Sequence, residues 1–155
     1  MKEPLVTNLC YIKTDNKLLL ALKKRGFGKD KWNGYGGKVK TGESISEAAI
    51  REVYEEAGIT ATKLEQRGLM HFSWASGKNG AIECHVYEII EYSGEPIETE
   101  EMKPEWFDID CLPYESMWSS DRVWLPYFLA NKKFKTEFIF DDSDQVLNHA
   151  ITFEK

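Results

Sequence analysis

No stretch of the chain approaches the ~18 consecutive apolar residues that a membrane-spanning helix needs. Its start, Met1-Lys2-Glu3-Pro4, runs into a strand-like alternation with no leader-type apolar segment. Cysteine is scarce: Cys10, Cys84 and Cys111 are scattered, odd in number and without paired metal-type spacing. That argues against a disulfide framework or a zinc site and for a reducing, cytoplasmic setting. With 11 Gly and 5 Pro, collagen-like and low-complexity classes are excluded. Basic excess is missing too, since 20 Lys and Arg stand against 26 Asp and Glu, a net charge of −6 at pH 7. Proteins that hold a nucleic-acid polymer show the reverse balance. A small anionic ligand would need positive charge from elsewhere, and a divalent cation is the natural source.

What is present is globular: 155 residues, 42% hydrophobic and 13% aromatic, the size of one domain spanning residues 1–155 and expected to act as a monomer. Leu5–Ile12 and Lys17–Leu22 are apolar-rich runs split by Thr14-Asp15-Asn16, which predicts a hairpin. A stretch rich in glycine and aromatics follows, from Arg25 to Gly37, where tight backbone bends are expected. Ser44-Ile45-Ser46-Glu47 fits a capping box, and Gly58 is placed to end the helix it opens, so the spacing predicts a helix from Ile45 to Ala57. Strands are expected at Gly68–Trp74, Ile82–Tyr92, Trp106–Ile109, Phe134–Phe140 and His149–Phe153. A second helix is expected over Asp121–Lys132, with Pro126 in its first turn. Strands in excess around two helices make an α+β chain.

The glutamates of the first helix point the wrong way. Ile45, Ala49, Val53 and Ala57 form one apolar stripe, and Glu52 and Glu56 fall along its edge, with Glu55 slightly further round. An amphipathic helix ordinarily keeps its charges on the far face, where a glutamate cluster is a solvated patch. Three carboxylates at i, i+3 and i+4 repel one another unless a cation sits against them, and Mg²⁺ takes such oxygen ligands.

The surrounding residues favour the cation. Gly37, Glu43, then Arg51-Glu52-Val53-Tyr54-Glu55-Glu56-Ala57-Gly58-Ile59 match G-x5-E-x7-R-E-U-x-E-E-x-G-U at every defined position, where U is apolar. The chain thus resembles the Nudix hydrolases. That resemblance implies an α/β/α sandwich with a mixed sheet and a loop-helix-loop motif. It also implies cleavage of a nucleoside diphosphate linked to another group, with Mg²⁺ or Mn²⁺. In the family Glu52, Glu55 and Glu56 would bind metal, with backbone groups at Gly37 nearby, and Arg51 would brace the box by pairing with Glu43. Gly37 and Lys38 would lie beside the phosphates.

The likeness extends to the oxidised purine nucleoside triphosphatases of the MutT-like branch. It is carried by Lys23-Lys24-Arg25-Gly26-Phe27-Gly28, Trp32-Asn33-Gly34-Tyr35-Gly36-Gly37-Lys38-Val39, Glu101-Met102-Lys103-Pro104-Glu105-Trp106-Phe107 and Met117-Trp118-Ser119-Ser120-Asp121-Arg122-Val123-Trp124-Leu125-Pro126. By that similarity Asn33 and Asp121 would bond the purine rim and Trp118 would stack on the base. Phe27, Phe72 and Trp74 would wall the pocket, Lys23 would stand at its mouth, and Glu101 would add a carboxylate at the metal. The implied substrates are nucleoside triphosphates of the 8-oxo-dGTP and 2-hydroxy-dATP type. Two positions depart from the subfamily: Ser120 replaces the first of two aspartates, and Asn8 replaces a threonine on the first strand. Both still offer hydrogen bonds to a base.

Other residues read as ordinary structure. Trp32, Trp106 and Trp124 are expected in the core, His71, His85 and His149 have no ligand spacing, and Asp141–Asp144 is expected to be a solvated turn. A broader nucleotide pyrophosphohydrolase is the second enzymatic reading. A Nudix-fold ligand sensor is the non-enzymatic one, disfavoured because every box glutamate is kept.

Overall fold

The computed structural model describes residues 3–154; Met1, Lys2 and Lys155 lie outside them. Its elements are β1 (Leu5–Tyr11), β2 (Lys17–Lys23), β3 (Trp32–Asn33), α1 (Ile45–Ala57), β4 (Thr60–Trp74), β5 (Ile82–Ser93), β6 (Met102–Asp108), α2 (Asp121–Leu129), β7 (Phe134–Phe140) and β8 (Val146–Phe153). Neighbouring side chains on the early strands enter different cores, as the period of two requires. Tyr11, Leu18 and Leu20 join one, while Cys10, Leu19 and Ala21 join the other. Each helix covers one core. Ala49, Val53 and Ala57 of α1 pack with Ile59, Tyr87 and Ile89, whereas Trp124, Leu125 and Phe128 of α2 pack with Phe134, Phe138 and Phe140. The result is the expected α/β/α sandwich.

The larger sheet is mixed, in the order β1–β5–β4–β7–β8, with β1 parallel to β5 and β4 parallel to β7. A smaller antiparallel sheet runs β3–β2–β6. The predicted first hairpin therefore does not form a ladder. Its turn is present, with Leu19 N–H bonded to Ile12 carbonyl at 3.0 Å, but β1 and β2 diverge into separate sheets. Both strands are apolar on two faces, which suits sheets covered on both sides.

The first helix is as predicted, with a reciprocal capping box between Ser44 and Glu47 and Gly58 left-handed at φ 71°. Four elements differ from expectation by more than one residue. β4 begins at Thr60, well before Gly68, because register shifts carry it past irregular pairing with β5. β6 already begins at Met102, and its partner end gives way to a 3₁₀ turn at Ile109–Cys111. The second helix stops at Leu129, and Pro126 sits inside it rather than in its first turn. There its ring removes a backbone donor, and the exposed face of a short helix tolerates that loss. β8 begins at Val146 instead of His149. Of the three tryptophans expected in the core, Trp124 is fully buried, while Trp32 and Trp106 are half-buried at the core margins, Trp32 edge-on to Phe107.

Candidate active site

The glycine-rich segment after β3 lies across β1. Asn8 N–H bonds Gly37 carbonyl at 3.0 Å, Tyr35 N–H bonds Cys10 carbonyl at 2.9 Å, and Val39 N–H bonds Val6 carbonyl at 3.1 Å. The approach excludes side chains. A Cβ on Gly36 would stand 2.0 Å from the Asn8 carbonyl oxygen, and one on Gly37 would stand 2.6 Å from the Glu52 carboxyl group. The loop is thereby pressed against both β1 and α1.

On α1 the carboxylates that the sequence places along the apolar stripe separate by environment. Glu56 is buried and accepts the Gly36 N–H at 2.9 Å. Burial pushes its carboxyl up to about 8, opposed by the Gly36 hydrogen bond and reinforced by Glu52. Arg51 takes the others. It donates to both oxygens of Glu43 at 2.6 and 3.0 Å, to Glu52 at 2.9 Å, to Glu55 at 3.2 Å and to the Lys38 carbonyl at 3.1 Å. The Arg51 hydrogen bonds hold Glu43 far down, at about 2. Glu55 remains half-exposed beside this fork. Glu101, from the start of the β6 segment, is bound by Arg25 at 2.7 Å and Lys23 at 3.2 Å, and these hydrogen bonds hold it below the usual carboxylate range.

Among the described residues no three carboxylates, thiols or imidazoles converge on one point. Glu52 and Glu55 turn to Arg51, Glu56 to Gly36, and Glu101 to Arg25 and Lys23. The donor set still fits a hard divalent cation. All the side-chain donors are oxygens, and Glu56 is a buried carboxyl with no ion-pair partner among the described residues.

Beside Glu56 opens a cavity of about 310 Å³. Asn8, Lys23, Phe27, Asn33, Gly37, Lys38, Phe72, Trp74, Trp118, Ser120 and Asp121 all line it. Residues from β1, β2, β3, β4 and α2 therefore meet at one place, although they are spread over most of the sequence. Phe27, Trp74 and Trp118 form an aromatic cluster, with Phe27 centred 5.1 Å from Trp118 and 6.2 Å from Trp74. Lys31 Nζ lies 5.2 Å from the centre of the Trp118 ring. Phe72 stacks on Phe138 behind the wall and on Phe140 within it.

Polar groups interrupt this apolar lining at few points. Asp121 is buried, accepts the Trp124 indole N–H at 3.0 Å with Oδ1, and has Oδ2 without a partner. Burial pushes its carboxyl up to about 7 against the Trp124 and Trp118 hydrogen bonds and the Lys31 charge. Asn8 is buried with neither amide atom bonded. Buried polar atoms are normally satisfied, so unpartnered ones on a cavity wall mark where a ligand is expected. Asn33 Oδ1 accepts the Tyr11 hydroxyl and the Gly34 N–H, both at 2.9 Å, which leaves its NH₂ group for the cavity.

Sequence reasoning missed three kinds of contributor. Leu9, Met70, Met102 and Phe140 also line the cavity, but their apolar spacing is that of any core residue. Tyr11 lies beneath Asn33 from another strand. Asp144 belongs to the turn expected to be solvated, yet it is half-buried and accepts the Trp74 indole N–H at 2.7 Å. The histidines behave as expected: His85 bonds Glu83 and Gln66, and His71 lies 3.7 Å from Glu83.

A NUDIX domain family model matches residues 4–128. An oxidized purine nucleoside triphosphate hydrolase of Danio rerio is 42% identical over 92% of this chain and 91% of its own. The protein of that name from Mus musculus is 38% identical over the same shares. A mutator MutT protein from Bacillus halodurans superposes with a TM-score of 0.83 at 25% identity, covering 95% of this chain and 97% of that one.

Proposed function

This chain belongs to the Nudix hydrolase family, and from that premise we propose that it converts oxidised purine (deoxy)nucleoside triphosphates to monophosphate and pyrophosphate. The observation that carries the reading is one cavity wall holding both a box carboxylate, Glu56, and an aromatic seat edged by unpartnered Asn8 and Asp121 atoms. The relatives' names supply the substrate class.

Aromatic faces give a base ~1–3 kcal/mol of stacking each whatever its identity. The polar rim then selects. Asp121, raised by burial, donates when protonated and accepts when ionised, while the Asn33 NH₂ donates. This single carboxyl offers complementary edges to an oxidised guanine and an oxidised adenine. Ser120, buried beside it, supplies no second carboxyl.

At the other end Lys23, Gly37 and Lys38 face the phosphates, and Glu52, Glu55, Glu56 and Glu101 would hold a divalent cation, Mg²⁺ or Mn²⁺, near the Gly37 backbone. When bound, that cation neutralises phosphate charge that the acidic chain cannot. Arg51 and Glu43 keep the loop and α1 in register, so the carboxylates stay in place. Water adds to phosphorus as one phosphoanhydride bond breaks, and pyrophosphate leaves. The free thiols Cys10, Cys84 and Cys111 suit a reducing, cytoplasmic compartment, and the reading needs only one copy of the chain. No helix of the described residues is long and apolar enough to cross a membrane.

The test is kcat/KM across oxidised dGTP, dGTP, oxidised dATP and dCTP. An oxidised purine should lead by at least roughly tenfold, ~1.4 kcal/mol. Equal efficiency on dCTP ends the purine reading and leaves a broader pyrophosphohydrolase. Ser120→Asp should move the ratio between the two oxidised purines more than the overall rate.

A further inference from the structure

The β7–β8 turn is bound to the cavity wall from behind. Asp144 Oδ1 accepts the indole N–H of Trp74 at 2.7 Å, a short, charge-assisted bond to a ring that is only 4% exposed. The Asp144 carbonyl accepts the Ser119 hydroxyl at 2.9 Å, and Ser119 in turn accepts the Val146 N–H at 3.1 Å. One residue therefore holds Trp74 from β4 and the Trp118-Ser119-Ser120 segment ahead of α2. The turn is itself built tightly: Asp141 Oδ1 accepts the N–H groups of Ser143 and Gln145, and Asp144 stands in the left-handed region at φ 59°. A second loop braces it, since Ser76 donates to Asp142 at 2.6 Å and Lys78 to the Asp142 carbonyl at 2.9 Å.

We propose that Asp144 is a positioning residue for base selection: it fixes the edge-on contacts of the Trp74 ring with Trp118 and Phe27 and so shapes the aromatic wall against which a flat bicyclic base packs. The proposal rests on the purine-pocket reading given above. Trp74 and Trp118 touch edge-on, 6.5 Å apart centre to centre at 75°, so a small rotation of Trp74 breaks this contact and reshapes the wall of the cavity that both rings line. Phe140 at 5.1 Å supports the ring from the core but supplies no bond that fixes its rotation. Asp144 supplies that bond and lies outside the cavity lining, so it influences the base without touching it.

The test uses Asp144→Gly, which deletes the acceptor without strain at positive φ, and Asp144→Asn, which keeps an oxygen acceptor and tolerates the same backbone. Asp144→Gly should raise KM for the oxidised purine triphosphate about tenfold with kcat held within about threefold. Asp144→Asn should restore most of the loss. In a Trp74→Phe background, where no indole N–H remains, Asp144→Gly should add less than about twofold. Independently of turnover, hydrogen exchange at the Trp74 indole N–H should quicken at least about tenfold in Asp144→Gly. A KM rise of the same size in the Trp74→Phe background, an unchanged indole exchange rate, or a loss confined to kcat and Tm overturns the proposal. A wild-type protein with no purine preference instead overturns the substrate reading, whereas purine preference with an unmoved Asp144→Gly KM overturns this inference alone.

Discussion

Arg51 grips both carboxylate oxygens of Glu43, at 2.6 and 3.0 Å, and with its remaining nitrogen reaches Glu52 and Glu55. The brace expected between Arg51 and Glu43 thus extends onto the carboxylates that would hold metal. Arg51→Ala should lower kcat about a hundredfold or more, because four acceptors lose their common donor and the box loses its register. Arg51→Lys keeps the charge but not the planar fork, so recovery should be partial. Proteolysis of the 38–43 loop, measured beside kcat, checks the cause. Lost activity with unaltered loop protection would place Arg51 on the substrate instead.

The same ion pair sets an acid limit. Glu43 is held down at about 2 by Arg51, so its contribution is complete above its unfolded value near 4.5 and is lost as pH falls through about 2. The Tm difference between wild type and Glu43→Gln should be constant from pH 6 upward and should close toward about pH 2. A difference independent of pH down to that point would remove the ion pair from the stability of the box.

Glu56 carries the cation prediction. A buried carboxyl without an ion-pair partner is costly alone and becomes favourable when a cation meets it. Mg²⁺ should raise Tm, by about 2.7 kcal/mol of stability at roughly a hundredfold its Kd, and chelator should abolish activity. Glu56→Gln keeps the acceptor for the Gly36 N–H, so the fold should persist while the Mg²⁺-induced Tm shift disappears and kcat falls by several orders of magnitude. Near-normal turnover in that variant would remove Glu56 from the chemistry.

Much of this site is legible in the sequence because its parts are local. The capping box, the α1 stripe and the glutamates at its edge follow from spacing within one helix. The cavity residues follow from short segments whose resemblance is dense, and they do share one lining. What stays hidden is pairing at a distance. Nothing near Thr14-Asp15-Asn16 tells that β1 will lie parallel to β5 rather than antiparallel to β2. Asp144 reads as one more aspartate in an acidic turn because its partner, Trp74, lies in another hairpin. Side-chain orientation is hidden too: spacing puts Glu52, Glu55 and Glu56 near one edge, but Arg51 and Gly36 decide where each carboxylate turns.

Asp121 gives a stability signature that needs no substrate. Its burial raises it from 3.8 to about 7, so between these values the folded state keeps a proton that the unfolded chain has lost. The Asp121 contribution to stability should therefore decline from about pH 4 to pH 7 and level off above, by an amount on the order of a few kcal/mol, separate from the decline that Glu56 adds up to about pH 8. Asp121→Asn retains an oxygen for the Trp124 indole and carries no charge. Its Tm advantage over wild type should be near zero at about pH 4 and reach a plateau above about pH 7. A pH-independent offset would show that Asp121 is ionised throughout, or neutral throughout, in the folded protein.

Asn33 is aimed by a hydroxyl from the neighbouring strand β1. An amide side chain can present either its oxygen or its NH₂ group to a ligand, and the two edges read opposite features of a base. Here the choice is made by Tyr11, which is fully buried on β1 and whose hydroxyl donates to Asn33 Oδ1 at 2.9 Å. Burial holds that hydroxyl well above its ordinary pKa, so it remains a donor at every working pH. Tyr11→Phe leaves the ring and its packing against Trp124 and Phe128 in place and deletes only the hydroxyl. Asn33 then keeps the Gly34 N–H alone, a contact with its own neighbour that constrains the amide less. The lost bond is worth ~0.5–1.5 kcal/mol, so discrimination between oxidised and unmodified dGTP should fall about two- to twelvefold. Turnover on the oxidised substrate should change less, because the phosphate end of the site is untouched. Asn33→Asp, which replaces the NH₂ donor by a second oxygen, should erode the same ratio further in the same assay. An unaltered ratio in Tyr11→Phe together with a lowered one in Asn33→Asp would mean that the cavity aims Asn33 without help from Tyr11.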